Sequence, residues 1–187
     1  NQAQIRKHLG YAAARFLEAR IQAGDSVGIS WGRTLYEVVH ALHGGEDKGL
    51  TVIPLLGGLN QISPSFQVHE MARIFSEKFG GAWKPFYVPA IVENEEIRQS
   101  LVAAADVAQV IQSWNNLTVA LVGVGNVELG QDVRMLFADY MDDSRMAHLR
   151  TVSAVGDICM RFFDSAGRPV PSGLPGIIGI ELEQLRR

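Results

Sequence analysis

Three short apolar runs, each ending in a glycine-containing loop, constrain the fold of this chain more than any other feature. Segments with the spacing of amphipathic helices separate the runs, and this alternation predicts an α/β fold, a helix-flanked and mostly parallel sheet. Because the carboxyl ends of parallel strands meet at one edge, the three loops are expected on the same rim, where such sheets bind ligands. The strands and their loops are 26–29 with 30–34, 50–58 with 57–60, and 117–125 with 123–126.

The helices are predicted from apolar periodicity and capping residues. The first is amphipathic, covers residues 2–23 and ends at Gly24. Its apolar residues are expected to face the core: Ile5, Leu9, Ala12, Phe16, Leu17 and Ile21. The other expected elements are helix 35–42, helix 64–79 with Ser63 as cap and Pro64 at its first position, an extended segment 85–92, helix 94–111 with Asn94 as cap, a capped helix 141–149, and a strand leading into a helix at 175–185.

Composition indicates a single soluble globular domain of 187 residues, 47% hydrophobic and 20% charged. The formal net charge of -3 offers no basic field for a nucleic-acid backbone, so the chain itself is not expected to bind DNA. No apolar run is long enough to span a membrane.

The single cysteine, Cys159, cannot form an internal disulfide and is expected in the core of a cytoplasmic protein. His40 and His43 have no third ligand at a recognisable spacing, so neither a metal nor a cofactor is expected.

Residues 28–32 read Gly-Ile-Ser-Trp-Gly, the G-x-S-x-G pattern of a serine nucleophile on a strand-to-helix turn. Such hydrolases need an oxyanion donor from a loop after an earlier strand, but only a helix precedes this turn. The sequence therefore does not favour Ser30 as a nucleophile. A dinucleotide site at residues 123–128 is also poorly supported, because Glu128 stands where close helix packing requires glycine or alanine.

The same turn is better suited to hold an anion. Thr34 and Glu37 have the spacing of a capping box, which would start the following helix at Thr34. Gly32, Arg33 and the hydroxyl groups of Ser30 and Thr34 would then surround the positive end of that helix, an arrangement suited to phosphate. An ordinary capped turn remains the alternative.

The other two loops place flexible backbone and an amide side chain at the same rim, as a small polyhydroxylated ligand would need. Turn chemistry alone would also account for each of them. Their residues are Gly57, Gly58 and Asn60 in one loop and Gly123, Gly125 and Asn126 in the other.

Five segments occur in the order and spacing of a known family: GDSVGISWGRTLYEVVHAL, VIPLLGGLN, YVPAIV, VALVGVG and SAVGDICMRFFDSAGRPV. Over nearly all of residues 1–187 the chain resembles the effector-binding domain of SorC-type bacterial transcriptional regulators, the group of the sorbitol, central glycolytic and deoxyribonucleoside repressors. The resemblance implies a fold similar to glucosamine-6-phosphate deaminase and ribose-5-phosphate isomerase, used without catalysis to bind a phosphorylated sugar. It also implies a homo-oligomer, a dimer or tetramer, and a separate N-terminal helix-turn-helix domain for DNA binding that is absent here. Residues 1–24 would be the helix that follows the linker.

The resemblance assigns ligand contacts residue by residue. The turn at 30–34 matches a phosphate-binding loop, the other two loops match further contact segments, and Asp157 matches an acid that accepts hydrogen bonds from sugar hydroxyl groups. The implied ligand-binding residues are Ser30, Trp31, Gly32, Arg33, Thr34, Gly57, Gly58, Leu59, Asn60, Gly123, Gly125, Asn126 and Asp157.

Two departures from the family pattern concern the ligand site. Leu56 stands where some relatives carry a basic residue, including a lysine that forms a Schiff base, so covalent capture there is not expected. A late glycine-rich segment with a ligand-facing lysine would lie beyond Arg187. The alternative function is a sugar-phosphate isomerase or deaminase with Asp157 as general base.

Overall fold

A parallel sheet forms the centre of the molecule. The structure is a computed structural model that describes residues 2–60, 63–127, 141–174 and 176–186. Four strands lie in the order β3-β2-β1-β4, and every neighbouring pair is parallel. The predicted α/β fold is therefore confirmed. The strands are β1 (Ser26–Ile29), β2 (Thr51–Pro54), β3 (Ala82–Trp83) and β4 (Val119–Leu121).

Helices connect and flank these strands. Pro64 begins a separate 3₁₀ turn, Pro64–Phe66, and the α-helix after it starts at Val68, so the predicted start of helix 64–79 is wrong. The predicted helix 94–111 is two helices, because Ala104 has extended backbone angles between them. The helices are α1 (Gln2–Glu18), α2 (Arg33–Ala41), α3 (Val68–Lys78), α4 (Glu95–Ala103), α5 (Ala105–Ser113), α6 (Asp143–Thr151) and α7 (Leu182–Leu185).

The predicted cap at Asn94 is confirmed, and the helix predicted as capped at 141–149 has Asp142 as its cap. The Asn94 side chain accepts a hydrogen bond from the backbone N–H of Ile97 at 2.9 Å, which starts α4. The Asp142 side chain accepts one from the N–H of Arg145 at 2.8 Å, which starts α6. Each bond satisfies an N–H group that has no partner within its own helix.

The run at 117–125 is not one buried strand. Its β4 portion lies at an edge of the described sheet, paired only with β1, and its residues are partly or fully exposed. The chain then leaves the sheet and enters a second, antiparallel sheet of β5 (Gly125–Asn126), β6 (Gly156–Ile158) and β7 (Arg161–Phe163). Gly125 pairs there with Asp157, so this change of sheet brings the third glycine loop to the predicted sugar-binding acid.

The core lies between the parallel sheet and the helices. The side chains of Val27, Ile29 and Val52 are fully buried, as apolar central strands require. Cys159 is buried as predicted. Segment 85–92 is extended and makes isolated bridges, among them Ile91 to Ile177, rather than a continuous strand. Residue 128, the third position of the rejected dinucleotide pattern, lies outside the described residues.

The first helix packs differently from the prediction. Its predicted core residues Ile5, Leu9 and Phe16 are 64%, 54% and 59% exposed. Leu17, and Ile21 beyond the end of α1, are buried as predicted. The other buried residues of α1 are Gly10 and Ala14, and this buried stripe lies roughly 120° around the helix from Ile5, Leu9 and Phe16. Small residues are needed there because α2 passes very close to Gly10. In the ranges that the structure covers, no helix combines the length and apolarity that a membrane span needs.

Candidate functional site

A cavity of about 390 Å³ opens at the carboxyl end of β1, within the size range of small-molecule sites. Four segments form its walls: the start of α1, the turn between β1 and α2, the 123–126 loop, and the hairpin between β6 and β7. The lining residues are Gln2, Ile5, Arg6, Ser30, Trp31, Gly32, Arg33, Thr34, Leu35, Gly123, Val124, Gly125, Asn126, Asp157, Cys159 and Met160.

The predicted capping box in the β1–α2 turn is wrong. Helix α2 begins at Arg33, and its cap is Gly32, which has no side chain to close the N-terminus. Thr34 is then the second and Glu37 the fifth residue of α2, so neither has the position that a capping box requires. Gly32 has φ 144°, a backbone conformation that side chains rarely allow. The N-terminus of α2, with glycine as its cap, therefore lies beside the cavity, which suits an anion.

Ser30 is buried at the end of β1, with 4% of its surface exposed. Its hydroxyl group donates to the carbonyl oxygen of Trp31 at 3.5 Å. None of the described lining residues is a histidine, so the cavity has no imidazole base for Ser30.

Asp157 is a carboxyl group of raised pKa in the cavity wall. Burial raises its pKa to about 6, and the hydrogen bond that its Oδ2 atom accepts from the N–H of Met160 at 3.2 Å offsets only part of this increase. The side chain keeps some exposure through the cavity. If residue 125 carried a Cβ atom, that atom would lie only 2.0 Å from the Oδ1 atom of Asp157, so glycine is required at Gly125. Above pH 6 the group is mainly a carboxylate, a strong acceptor for hydroxyl groups.

The turn of the β6–β7 hairpin has an unusual backbone. Cys159 and Met160 both have positive φ angles, 51° and 65°, in the two-residue turn where Asn and Gly are normally preferred. Each positive φ angle costs on the order of 1 kcal/mol in a residue other than glycine. Burial raises the pKa of the Cys159 thiol to about 12, so this residue packs as a neutral group.

The second glycine loop does not line the cavity. Its N–H groups bond within the protein: that of Gly57 donates to the carbonyl oxygen of Ile178 at 3.0 Å, and that of Gly58 donates to Val88 at 2.9 Å. Leu59 is buried, and Asn60 is exposed. Strand β1 lies between β2 and β4, so the strand order separates the 57–60 loop, which follows β2, from the 123–126 loop, which follows β4. Ligand contacts by these four residues stay a prediction.

The sequence interpretation missed the wall supplied by α1. Gln2, Ile5 and Arg6 line the cavity, although the first helix was expected only to pack on the core. Gly10 could have indicated a neighbouring segment, because a glycine inside a helical pattern often marks a place where another part of the chain comes close to the helix. It could not have indicated which segment that is.

Comparisons with known proteins show the family to which the chain belongs. The family model for a sugar-binding domain matches residues 1–187. The chain belongs to this Sugar-bind family. A relative, the deoxyribonucleoside regulator of Bacillus subtilis, is 30% identical over 98% of this chain and 58% of its own length. The chain spans a little more than half the length of the curated relatives it matches.

Solved structures of the Sugar-bind type have the same fold. A transcriptional regulator from Streptococcus pneumoniae is 27% identical, with a TM-score of 0.89 over 100% of this chain and 71% of its own. The full-length sorbitol operon regulator SorC of Klebsiella pneumoniae, at 22% identity, has a TM-score of 0.91 over 100% of this chain and 60% of its own. The resemblance inferred from the five sequence segments is confirmed.

Proposed function

We propose that this Sugar-bind domain holds a phosphorylated sugar in the cavity and acts as the ligand sensor of a transcriptional regulator. One observation carries the proposal: Arg33 and the N-terminus of α2, whose cap is Gly32, lie in one wall, and Asp157 lies in another. A guanidinium group and first-turn N–H groups bind phosphate oxygens, whereas a carboxylate accepts hydrogen bonds from hydroxyl groups and repels phosphate. The ligand is therefore oriented with its phosphate towards α2.

The proposal of a regulatory role has separate support. Proteins that this chain is similar to are named as regulators, and it matches only part of their length. The net charge of -3 does not suit this domain for DNA binding, which we assign to a separate N-terminal helix-turn-helix domain. Ligand binding would change DNA affinity by favouring one assembled state of a homo-oligomer over another.

The test is a thermal-shift screen of the domain against phosphorylated sugars and their unphosphorylated counterparts. A ligand that binds the native state raises apparent stability by mass action. Stabilisation by phosphorylated sugars is expected to fall strongly in Arg33→Ala and Thr34→Val. Matched controls are Arg20→Ala and Thr151→Val, which remove the same groups from exposed positions outside the cavity.

Undiminished stabilisation in both cavity variants would show that the phosphate does not bind at α2. Turnover of a stabilising sugar phosphate by the purified domain would contradict a purely sensing role and would favour the isomerase or deaminase with Asp157 as base. If phosphorylated and unphosphorylated sugars stabilised the domain equally, the proposed recognition of the phosphate would be refuted.

A further inference from the structure

Helices α1 and α2 lie side by side and run in the same direction. Gly10 of α1 lies against Glu37 of α2, so closely that a Cβ atom on Gly10 would be 2.5 Å from the Glu37 Cβ atom. Nearer the C-terminal ends of both helices, the Glu18 side chain accepts a hydrogen bond from the backbone N–H of His43 at 2.6 Å. Because the contacts advance together along both helices, their N-terminal ends point towards the same side.

One turn before this contact, each helix contributes an arginine to the cavity. Arg6 precedes Gly10 by four residues, and Arg33 precedes Glu37 by four, so each lies on the contact face of its helix. Both line the cavity, and they are its cationic residues within the described part of the chain. Arg6 is half-buried, although the residues on either side of it are exposed.

We propose that Arg6 is the second cation of the phosphate site, so that a bound phosphate joins α1 to α2. This inference rests on the proposed function. A phosphate monoester carries a charge of about −1.5 to −2 near pH 7, which two guanidinium groups balance and one does not. With Asp157 in another wall, a second arginine also adds to the separation of charge that orients the ligand.

A phosphate bound in this way would stabilise the start of α1. The buried residues of α1 are Gly10, Ala14 and Leu17, whereas residues 2–9 are exposed apart from the half-buried Arg6. The first two turns therefore have few buried contacts and are expected to open readily when no ligand is bound. The ligand would reduce this local opening, which makes the order of α1 a readout of binding.

The experiment measures ligand affinity and amide hydrogen exchange of residues 2–9 for the wild type, Arg6→Ala, Arg33→Ala and Lys7→Ala. The probes are inorganic phosphate, ribose 5-phosphate and glucose 6-phosphate, measured by calorimetric titration. Lys7→Ala is the matched control, because it removes the same charge from an exposed position on the same helix that does not line the cavity. Arg6→Ala is expected to weaken binding roughly tenfold to hundredfold, the effect of a lost charged hydrogen bond, and Lys7→Ala less than about twofold.

The phosphate compounds that bind are also expected to slow exchange of residues 2–9 in the wild type and in Lys7→Ala but not in Arg6→Ala. If Arg33→Ala lost binding while Arg6→Ala matched Lys7→Ala in both measurements, the role of Arg6 would be refuted and the proposed function would stand. If the wild type bound none of the three probes, both the phosphate site and the role of Arg6 would be refuted.

Discussion

Gly10 of α1 lies so close to Glu37 of α2 that no Cβ atom fits between the two helices there. A Cβ atom on Gly10 would lie 2.5 Å from the Glu37 Cβ atom and 2.8 Å from its carbonyl carbon. Because one of these neighbours is backbone, the helices would have to move apart to accept a methyl group. This contact sets where the start of α1, with Arg6, lies relative to the cavity.

Gly10→Ala is therefore expected to destabilise the domain. Alanine is favoured over glycine inside a helix by about 1 kcal/mol, but overpacking costs about 1–3 kcal/mol, so we expect a net loss of about 1 kcal/mol. Denaturant unfolding measures this loss. Ala12→Gly, at an exposed position of the same helix, measures the intrinsic helix preference alone. A gain in stability for Gly10→Ala would show that the two helices are not in such close contact.

Asp157→Asn is expected to stabilise the domain at neutral pH. The folded pKa of Asp157, about 6, lies above its ordinary value of 3.8. The folded state thus binds the proton of Asp157 more tightly than the unfolded state does. Protonation of Asp157 therefore stabilises the fold fully below about pH 4, and this stabilisation is lost as the pH rises through 6. Asparagine can still accept the hydrogen bond from Met160 and carries no charge. At pH 7.5 the variant should be more stable than the wild type by up to about 3 kcal/mol, with the difference shrinking towards pH 4.

Unfolding measured from about pH 2.5 to 7.5 checks this prediction, with Asp164→Asn as the control of opposite sign, because the effect of Asp164 is lost only below about pH 4. The pKa of Asp164 is lowered, chiefly by the hydrogen bond that its side chain accepts from the backbone N–H of Arg168. The charged form therefore stabilises the fold at neutral pH, and this stabilisation is lost in acid. Parallel pH profiles for wild type and Asp157→Asn would show that Asp157 has an ordinary pKa.

Ser153→Gly is expected to stabilise the end of α6. Ser153 has φ 56° and is exposed, and its N–H donates to the carbonyl oxygen of Arg150, while that of Ala154 donates to Leu149. This is a Schellman motif, in which glycine is preferred at the left-handed position. We expect a gain of about 0.5–1 kcal/mol in the free energy of unfolding. The same change at Ser100, inside α4, should instead lower stability.

Cys159 is expected to react slowly with disulfide reagents at pH 8 in the native state and fast in denaturant. Burial raises its pKa to about 12, so very little reactive thiolate is present. Ser100→Cys, in a chain that also carries Cys159→Ser, supplies an exposed thiol for comparison of rates measured by absorbance. Native reaction of Cys159 as fast as that of the exposed thiol would show that the cavity leaves it open to solvent.

Local patterns were sufficient where an element is specified by its neighbours along the chain. The apolar runs at β1 and β2, the side-chain cap at Asn94, and the glycine-containing turn after β1 follow from periodicity and capping chemistry. The same patterns failed for the capping box: Thr34 and Glu37 have the correct spacing, but α2 begins at Arg33 with Gly32 as its cap.

The sequence by itself determined the α/β class and the family, and it predicted the turn at 30–34 as a place for an anion. Only the tertiary structure decided which segments meet there: Arg6 joined the cavity, the 57–60 loop did not line it, and Gly125 came to lie opposite Asp157. The physical reason is that spacing along a chain specifies which face of an element is apolar, whereas strand order and close helix contacts specify which elements are neighbours.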